Sequence, residues 1–146
     1  MSVEETTRLD KEFMSAWNAH DPDRAIALLS DDAVWEDVAS PERMRSKSAI
    51  RDYMQSWFTA FPDMNAVEKN QVVAGDKLAV EVEFTGTNTG PMRMGGSTIP
   101  ATGKRVTGHG TYFARVLDGK IAEIHTYPDV AGMMMQLGLM PTGGTS

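Results

Sequence analysis

The chain has 146 residues, a formal net charge of -6 and no cysteine. A domain of this size buries about two thirds of the surface its unfolded chain exposes, so one core over residues 1–146 is expected. The acidic balance argues against nucleic-acid or anionic-membrane partners, which need a cationic surface, and the missing cysteine excludes thiolate nucleophiles, disulfides and cysteine-ligated metals. Met1 to Lys11 is polar and mixed in charge, without the apolar stretch of a signal peptide, and no segment is long enough to cross a bilayer. A cytoplasmic protein is the expectation.

Leu9, Phe13, Ala16 and Trp17 recur at helical spacing and predict an amphipathic helix over 3–19. Asp21-Pro22 is a start signal, an acidic cap followed by proline where its missing N–H costs nothing, and predicts a short helix over 22–29. Ala33 to Val38 reads as briefly extended. Ser46 or Ser48 can cap a third helix whose apolar face is Ile50, Tyr53, Met54, Trp57, Phe58 and Phe61, and Pro62 ends it.

After Pro62 the period changes to two. Asn65 to Ala74 is a predicted strand, Gly75-Asp76 a turn, and Leu78, Val80, Val82 and Phe84 alternate as a half-buried strand. Residues 87–103 predict a long Gly- and Pro-containing loop, in which Met92, Met94 and Ile99 could fold over a pocket mouth as a lid. Arg105 to Leu117 and 120–127 form a hairpin about Asp118-Gly119. A short helix from Val130 stops at Gly138, and residues 141–146 are expected to fray. Helices first and strands afterwards is an α+β order. The predicted architecture is a strongly curved antiparallel sheet wrapped around the N-terminal helices as a cone, with a small-molecule pocket inside.

The last hairpin carries the candidate chemistry. Counting by twos from Ile121 puts Glu123, His125, Tyr127 and Asp129 on one face, and the hairpin register places His109 near Asp129. His109, His125, Tyr127 and Asp129 are therefore expected together, unless a bulge moves one strand's side chains to the opposite face. A carboxylate within about 3 Å of a carbon flanked by carbonyls can take its proton, and an imidazole or phenol can donate to the enolate oxygen. Asp129 as base with His109, His125 or Tyr127 as donor is a minimal set that calls for no metal and no cofactor. Each residue also has a structural reading: Asp129 as the cap of the helix at Val130, the histidines as hydrogen-bonded interior groups, Tyr127 as a packing wall.

Ala60-Phe-Pro-Asp63, Val73-Ala-Gly-Asp76, Thr85-Gly-Thr87, Thr102-Gly-Lys104, Asp118-Gly-Lys-Ile-Ala-Glu123 and Gln136-Leu-Gly138 together resemble the SnoaL-like polyketide cyclase family, over almost the whole chain. The resemblance implies an α+β cone of the nuclear-transport-factor type, with a general acid/base aspartate at the position of Asp129 and a pocket histidine at that of His109. Ring closure by aldol chemistry without metal or cofactor is what the characterised cyclases do. The family often carries tryptophan four residues before the aspartate, where this chain has His125. Asp37 sits in the segment where relatives often place a polar pocket residue. Trp17, Trp35, Tyr53, Trp57, Phe84 and Met92, with Asp37 and Tyr127, are the expected substrate-contacting set.

The leading expectation is a cofactor-independent enzyme that removes a proton next to a carbonyl of a small, largely apolar compound, followed by cyclisation, isomerisation or dehydration. Epoxide hydrolysis would need an Asp–Arg–Asp group inside the cone, for which Arg105 and Arg115 are the candidates. A non-catalytic binding or dimerisation module is the alternative of another class. A homodimer through the convex face of the sheet, with Glu81 and Glu83 or Tyr112, is expected.

Overall fold

The computed structural model describes residues 2–40, 43–94 and 96–140; the expected fraying of 141–146 lies outside them. Helix α1 (Val3–Asn18) begins where the sequence supplies a capping box: the Ser2 hydroxyl accepts the Glu5 N–H at 3.1 Å, and the Glu5 carboxylate reaches back to the Ser2 N–H. Asp21 caps α2 (Pro22–Ile26) through the Arg24 N–H at 3.0 Å. This helix is shorter than expected, because Leu29 is already the first residue of strand β1 (Leu29–Asp37), where its side chain is buried. After the two-residue strand β2 (Arg43–Met44), Ser46 caps α3 (Lys47–Ala60), which buries Ile50, Met54 and Phe58. No helix among the described residues is long and apolar enough to cross a membrane.

Strands β3 (Asn65–Ala74), β4 (Lys77–Thr87), β7 (Arg105–Leu117) and β8 (Lys120–Pro128) join β1 and β2 in one sheet, ordered β2-β1-β8-β7-β4-β3. The helices cover one face of it. The sheet is mixed rather than antiparallel: β1 runs parallel to β8, while every other pair is antiparallel. Parallel neighbours require a long crossover, and here it is α3 together with β3 to β7, a connection that local patterning does not reveal. The expected loop 87–103 is also more ordered than its composition suggests. It contains a small hairpin, β5 (Met92–Met94) and β6 (Ser97–Ile99), with Met92 buried.

Asn88 ties that hairpin down. Its side chain is fully buried and satisfied: Nδ2 donates to the carbonyls of Ala60 and Gly90 at 3.1 and 2.9 Å, and Oδ1 accepts the N–H and hydroxyl of Thr102 at 2.8 and 2.9 Å. One amide thus joins the end of α3 to both stems of the loop. Gly90 is required beside it, since a Cβ there would sit 1.9 Å from the Thr59 carbonyl oxygen.

One extra residue sets the faces of β8. Leu117 pairs with Lys120 and Val116 with Ile121, but Arg115 pairs with Glu123, so Ala122 is a bulge. Ile121 points inward; past the bulge the inward residues become Ile124, Thr126 and Pro128, and Glu123, His125 and Tyr127 turn outward. Along β7 the even residues Val106, Ala114 and Val116 are buried, and Phe113 and Leu117 are half exposed on the outer side. The face expected to look inward is the outer one. There Arg115 binds Glu123 at 2.7 Å, holding its carboxyl below the usual range, and Phe113 meets Tyr127 edge-on at 5.9 Å.

A polar cluster joins α1 to the sheet's inner face. Asp10, 3% exposed, accepts the Gln71 amide at 3.0 Å and a short hydrogen bond from the Tyr112 hydroxyl, which also lies 3.3 Å from a Glu68 carboxylate oxygen. Tyr112 thus faces inward and is not part of the convex surface, where Glu81 and Glu83 do lie. Burial, then the hydrogen bond and charge of Asp10, push Glu68 up to about 8, against weak relief from Lys11. Burial and the two carboxylates push the Tyr112 phenol well above its ordinary value.

Two outcomes follow. Asn88→Ala strands buried donors and acceptors on three segments and is expected to cost about 3 kcal/mol in urea denaturation. Glu68 gains a proton on folding, so its stabilising contribution is full below its unfolded value of 4.5 and is lost as pH rises through about 8. The stability of wild type relative to Glu68→Gln should therefore fall steadily between these values in denaturation at a series of pH settings; a flat difference would contradict the raised Glu68 value.

Candidate functional site

Between the sheet and helices α1 and α3 lies a cavity of about 140 Å³. Its wall is built by the helical spacing of Phe13, Met14 and Trp17 on α1 and of Tyr53 and Trp57 on α3, and by the inward rows of β1, β3, β4, β7 and β8. The aromatic rings brace one another: Phe13–Trp35 at 5.9 Å between centroids, Trp35–Tyr53 at 5.3 Å, Tyr53–Trp57 at 6.4 Å and Trp57–Phe84 at 6.3 Å. Phe84 lies flat over β7 because Gly108 leaves room; a Cβ there would be 2.1 Å from its ring.

One carboxylate lines this cavity. Asp37, at the end of β1, is 4% exposed. Its Oδ2 accepts the Tyr53 hydroxyl at 2.5 Å and its Oδ1 accepts the Ala39 N–H at 2.9 Å. The Trp57 ring meets Tyr53 edge-on, and the Trp35 indole N–H donates to the Thr126 hydroxyl at 3.3 Å. Burial first, then the charge of Asp37, raise the Tyr53 phenol far above its usual value, so it stays protonated and donates. Strand pairing explains the gathering: Asp37 is beside Thr126, and Thr126 beside Tyr112, so three polar groups form a row across the inner face.

Asp37, Tyr53, Trp57 and Pro128 also line a second, outer chamber of about 430 Å³. Its wall is mixed in polarity, with Ser56, Asp52 and Arg93 among apolar residues, and Met92 of the β5–β6 hairpin and Met133 of α4 (Val130–Leu137) cover it. These four shared residues form the neck between a greasy inner hollow and a wetter outer one. A carboxylate at such a neck, held by one phenol and one backbone N–H, keeps acceptor capacity for a substrate proton. Among the described residues no group of three or more histidine and carboxylate side chains is arranged to hold a metal ion.

The expected site residues divide. Trp17, Trp35, Asp37, Tyr53, Trp57 and Phe84 line the inner cavity, and Met92 the outer chamber. Asp129 does not line either; it is exposed and caps α4, its Oδ1 accepting the Gly132 N–H at 2.9 Å. His125 and Tyr127 are on the outer face, Tyr127 at 47% exposure, because the Ala122 bulge reverses the count by twos. His109 is exposed at the end of the sheet, where it borders the inner cavity and also a shallow outer hollow that it shares with Asp129, Tyr127, Lys69 and Glu81. The expected neighbourhood of His109 and Asp129 is thus real, reinforced by the Asp129 N–H bonding the His109 carbonyl at 2.9 Å, but it is on the solvent side. Thr126 and the Asp10–Glu68–Tyr112 group were not anticipated. The apolar pair Ile121-Ala122, followed at once by Glu123, is the local signal of a bulge that would have exposed Thr126.

The sequence model of the SnoaL-like polyketide cyclase family matches residues 7–137. A comparison with curated proteins found no match. Among solved structures, AclR, a proposed hydroxylase of Streptomyces galilaeus, superposes with a TM-score of 0.84 at 26% identity, covering 98% of this chain and 87% of that one. IdmH, a proposed polyketide cyclase of Streptomyces antibioticus, gives 0.75 at 26% identity, covering 91% and 98%. An LEH-like epoxide hydrolase of M. tuberculosis shares the fold, at 0.69 and 21% identity, covering 92% and 90%. With its α+β cone, its inner cavity and a match over nearly its whole length, this chain belongs to the SnoaL-like polyketide cyclase family.

Proposed function

We propose that this protein is a cofactor-independent enzyme in which Asp37 is the general acid/base, acting on a carbon next to a carbonyl of a small, largely apolar compound. The observation that carries this reading is a buried carboxylate at the neck of an otherwise apolar hollow, with oriented donors converging on it. Asp37 takes the α-proton, and the C–H electron pair moves onto the carbonyl oxygen as an enolate. The Thr126 hydroxyl, which lines the same cavity beside Asp37, supplies a donor for that oxygen. The enolate then attacks a second carbonyl of the same molecule, whose oxygen takes the proton back from Asp37 as the alkoxide forms, or is reprotonated by Asp37 at another carbon. Ring closure and isomerisation thereby share one first step. Low polarity around the neck strengthens each of these interactions relative to water.

Epoxide hydrolysis has less support. Arg105 and Arg115 are both outside the cavity, near Asp63 at 3.9 Å and Glu123 at 2.7 Å, so neither can polarise a water there with Asp37. The outer sheet face offers a row of Val72, Ala79, Phe113 and His125 across four strands, with Phe113 and Val72 at 49% and 63% exposure. A homodimer closed over this row is part of the proposal.

Deuterium exchange of β-dicarbonyl α-protons tests the base. Asp37→Asn should slow enzyme-dependent exchange by roughly 10²–10⁴-fold while the protein stays folded. Asp129→Asn, which keeps a competent helix cap, should leave exchange near the wild-type rate. The reverse ranking would return the role to Asp129, and no exchange by wild type would favour a binding module. For the assembly, sedimentation of Phe113→Lys should show monomer where wild type shows dimer.

A further inference from the structure

The inner hollow and the outer chamber differ in size and in polarity, and Asp37 is at their junction. An apolar cavity of about 150 Å³ accepts a benzene molecule, and the inner hollow, at about 140 Å³ and open on one side, has room for one such ring. Its wall cannot easily widen. Trp35 and Phe13 are 4% and 5% exposed, and the ring contacts run without a break from Phe13 through Trp35, Tyr53 and Trp57 to Phe84. Close-packed rings of this kind resist an oversized guest at the cost of strained rotamers.

We propose that the substrate carries a single six-membered ring, or an apolar group of that bulk, on one side of its acidic carbon, seated in the inner hollow, while its more polar remainder extends into the outer chamber. The acidic carbon then lies at the neck, within reach of Asp37. Fused polycyclic skeletons are excluded from the deep end. The aromatic wall favours a flat ring, which can lie edge-on to Trp57 or Phe84 as these rings lie to each other. The more polar lining of the outer chamber, with Asp52, Ser56 and Arg93, suits a chain bearing further oxygens. The assignment of the reacting carbon rests on Asp37 as the base; the size of the ring pocket does not.

The test is a calorimetric titration of acetylacetone, benzoylacetone and 2-naphthoylacetone into wild type and Asp37→Asn, run beside the exchange assay. Benzoylacetone should bind best in both proteins. Acetylacetone should bind roughly thirtyfold more weakly or worse, for loss of the buried ring, and 2-naphthoylacetone about tenfold more weakly, for overpacking. Met14→Ala trims a half-buried wall residue and should narrow the gap between the one-ring and two-ring probes. A two-ring probe that binds wild type as tightly as benzoylacetone, an unchanged gap in Met14→Ala, or no binding of any probe overturns the proposal. The expected ranking without exchange in wild type removes the base assignment and leaves the ring pocket standing. Exchange with a flat ranking does the opposite.

Discussion

The Ala122 bulge is the constraint from which the site follows. Without it, the inward row begun by Ile121 would continue through Glu123, His125 and Tyr127, and an imidazole, a phenol and a carboxylate would face the helices. With it, Ile124, Thr126 and Pro128 face inward instead. A one-residue offset in a strand exchanges both faces, so the local irregularity has a global effect. It also fixes what β1 presents. Because β1 pairs in parallel with β8, Trp35 is next to Ile124 and Asp37 next to Thr126, and the buried carboxylate comes to the cavity as their neighbour.

That carboxylate is sustained by a chain of donors rather than by an opposite charge. The Tyr53 hydroxyl and the Ala39 N–H donate to Asp37 itself, and the Trp35 indole N–H fastens Thr126 on the strand beside it. Such a network is satisfied only if every member is in place, which makes it a specification of geometry as much as a source of stability. The Asp10–Glu68–Tyr112 group two strands away follows another logic: burial and the neighbouring Asp10 hold the Glu68 carboxyl up, and the Tyr112 hydroxyl bridges the two carboxyls. Tyr112 lines the cavity as well, so both polar centres touch the same hollow from opposite sides of its inner row.

The cover over the neck is fastened by ordinary fold elements. Asn88 locks the hairpin stems to α3, and Gln136 holds α4 to β7 by bonding both the N–H and the carbonyl of Thr107 at 2.8 Å. The Gln-Leu-Gly run near the end of the chain thereby gains a physical meaning: a clamp, a buried Leu137, and a glycine at φ 76° that ends the helix. Asp129 belongs to this cover. It is the N-cap of α4, and Gly132 lets its carboxylate approach the helix end closely.

Whatever depends on neighbours in the chain was legible in the residues themselves. The caps Ser46 and Asp21, the Asp118-Gly119 hairpin, the apolar faces of α1 and α3, the stop at Gly138 and the aromatic lining all follow from local spacing, because helix and strand periods act over a few residues. The family followed from short motifs of the same kind. What only the tertiary structure decided is pairing: the parallel contact of β1 with β8, the unpaired Ala122, and the hydrogen bonds that bring Asp37 to Tyr53 from 16 positions away and Asp10 to Tyr112 from 102. Pairing between distant segments is chosen by the best burial of the whole sheet, and no window of sequence contains both partners. Both acids were named from the sequence, Asp37 as a pocket residue and Asp129 as the base; the fold places the first at the hollow and the second at the start of α4.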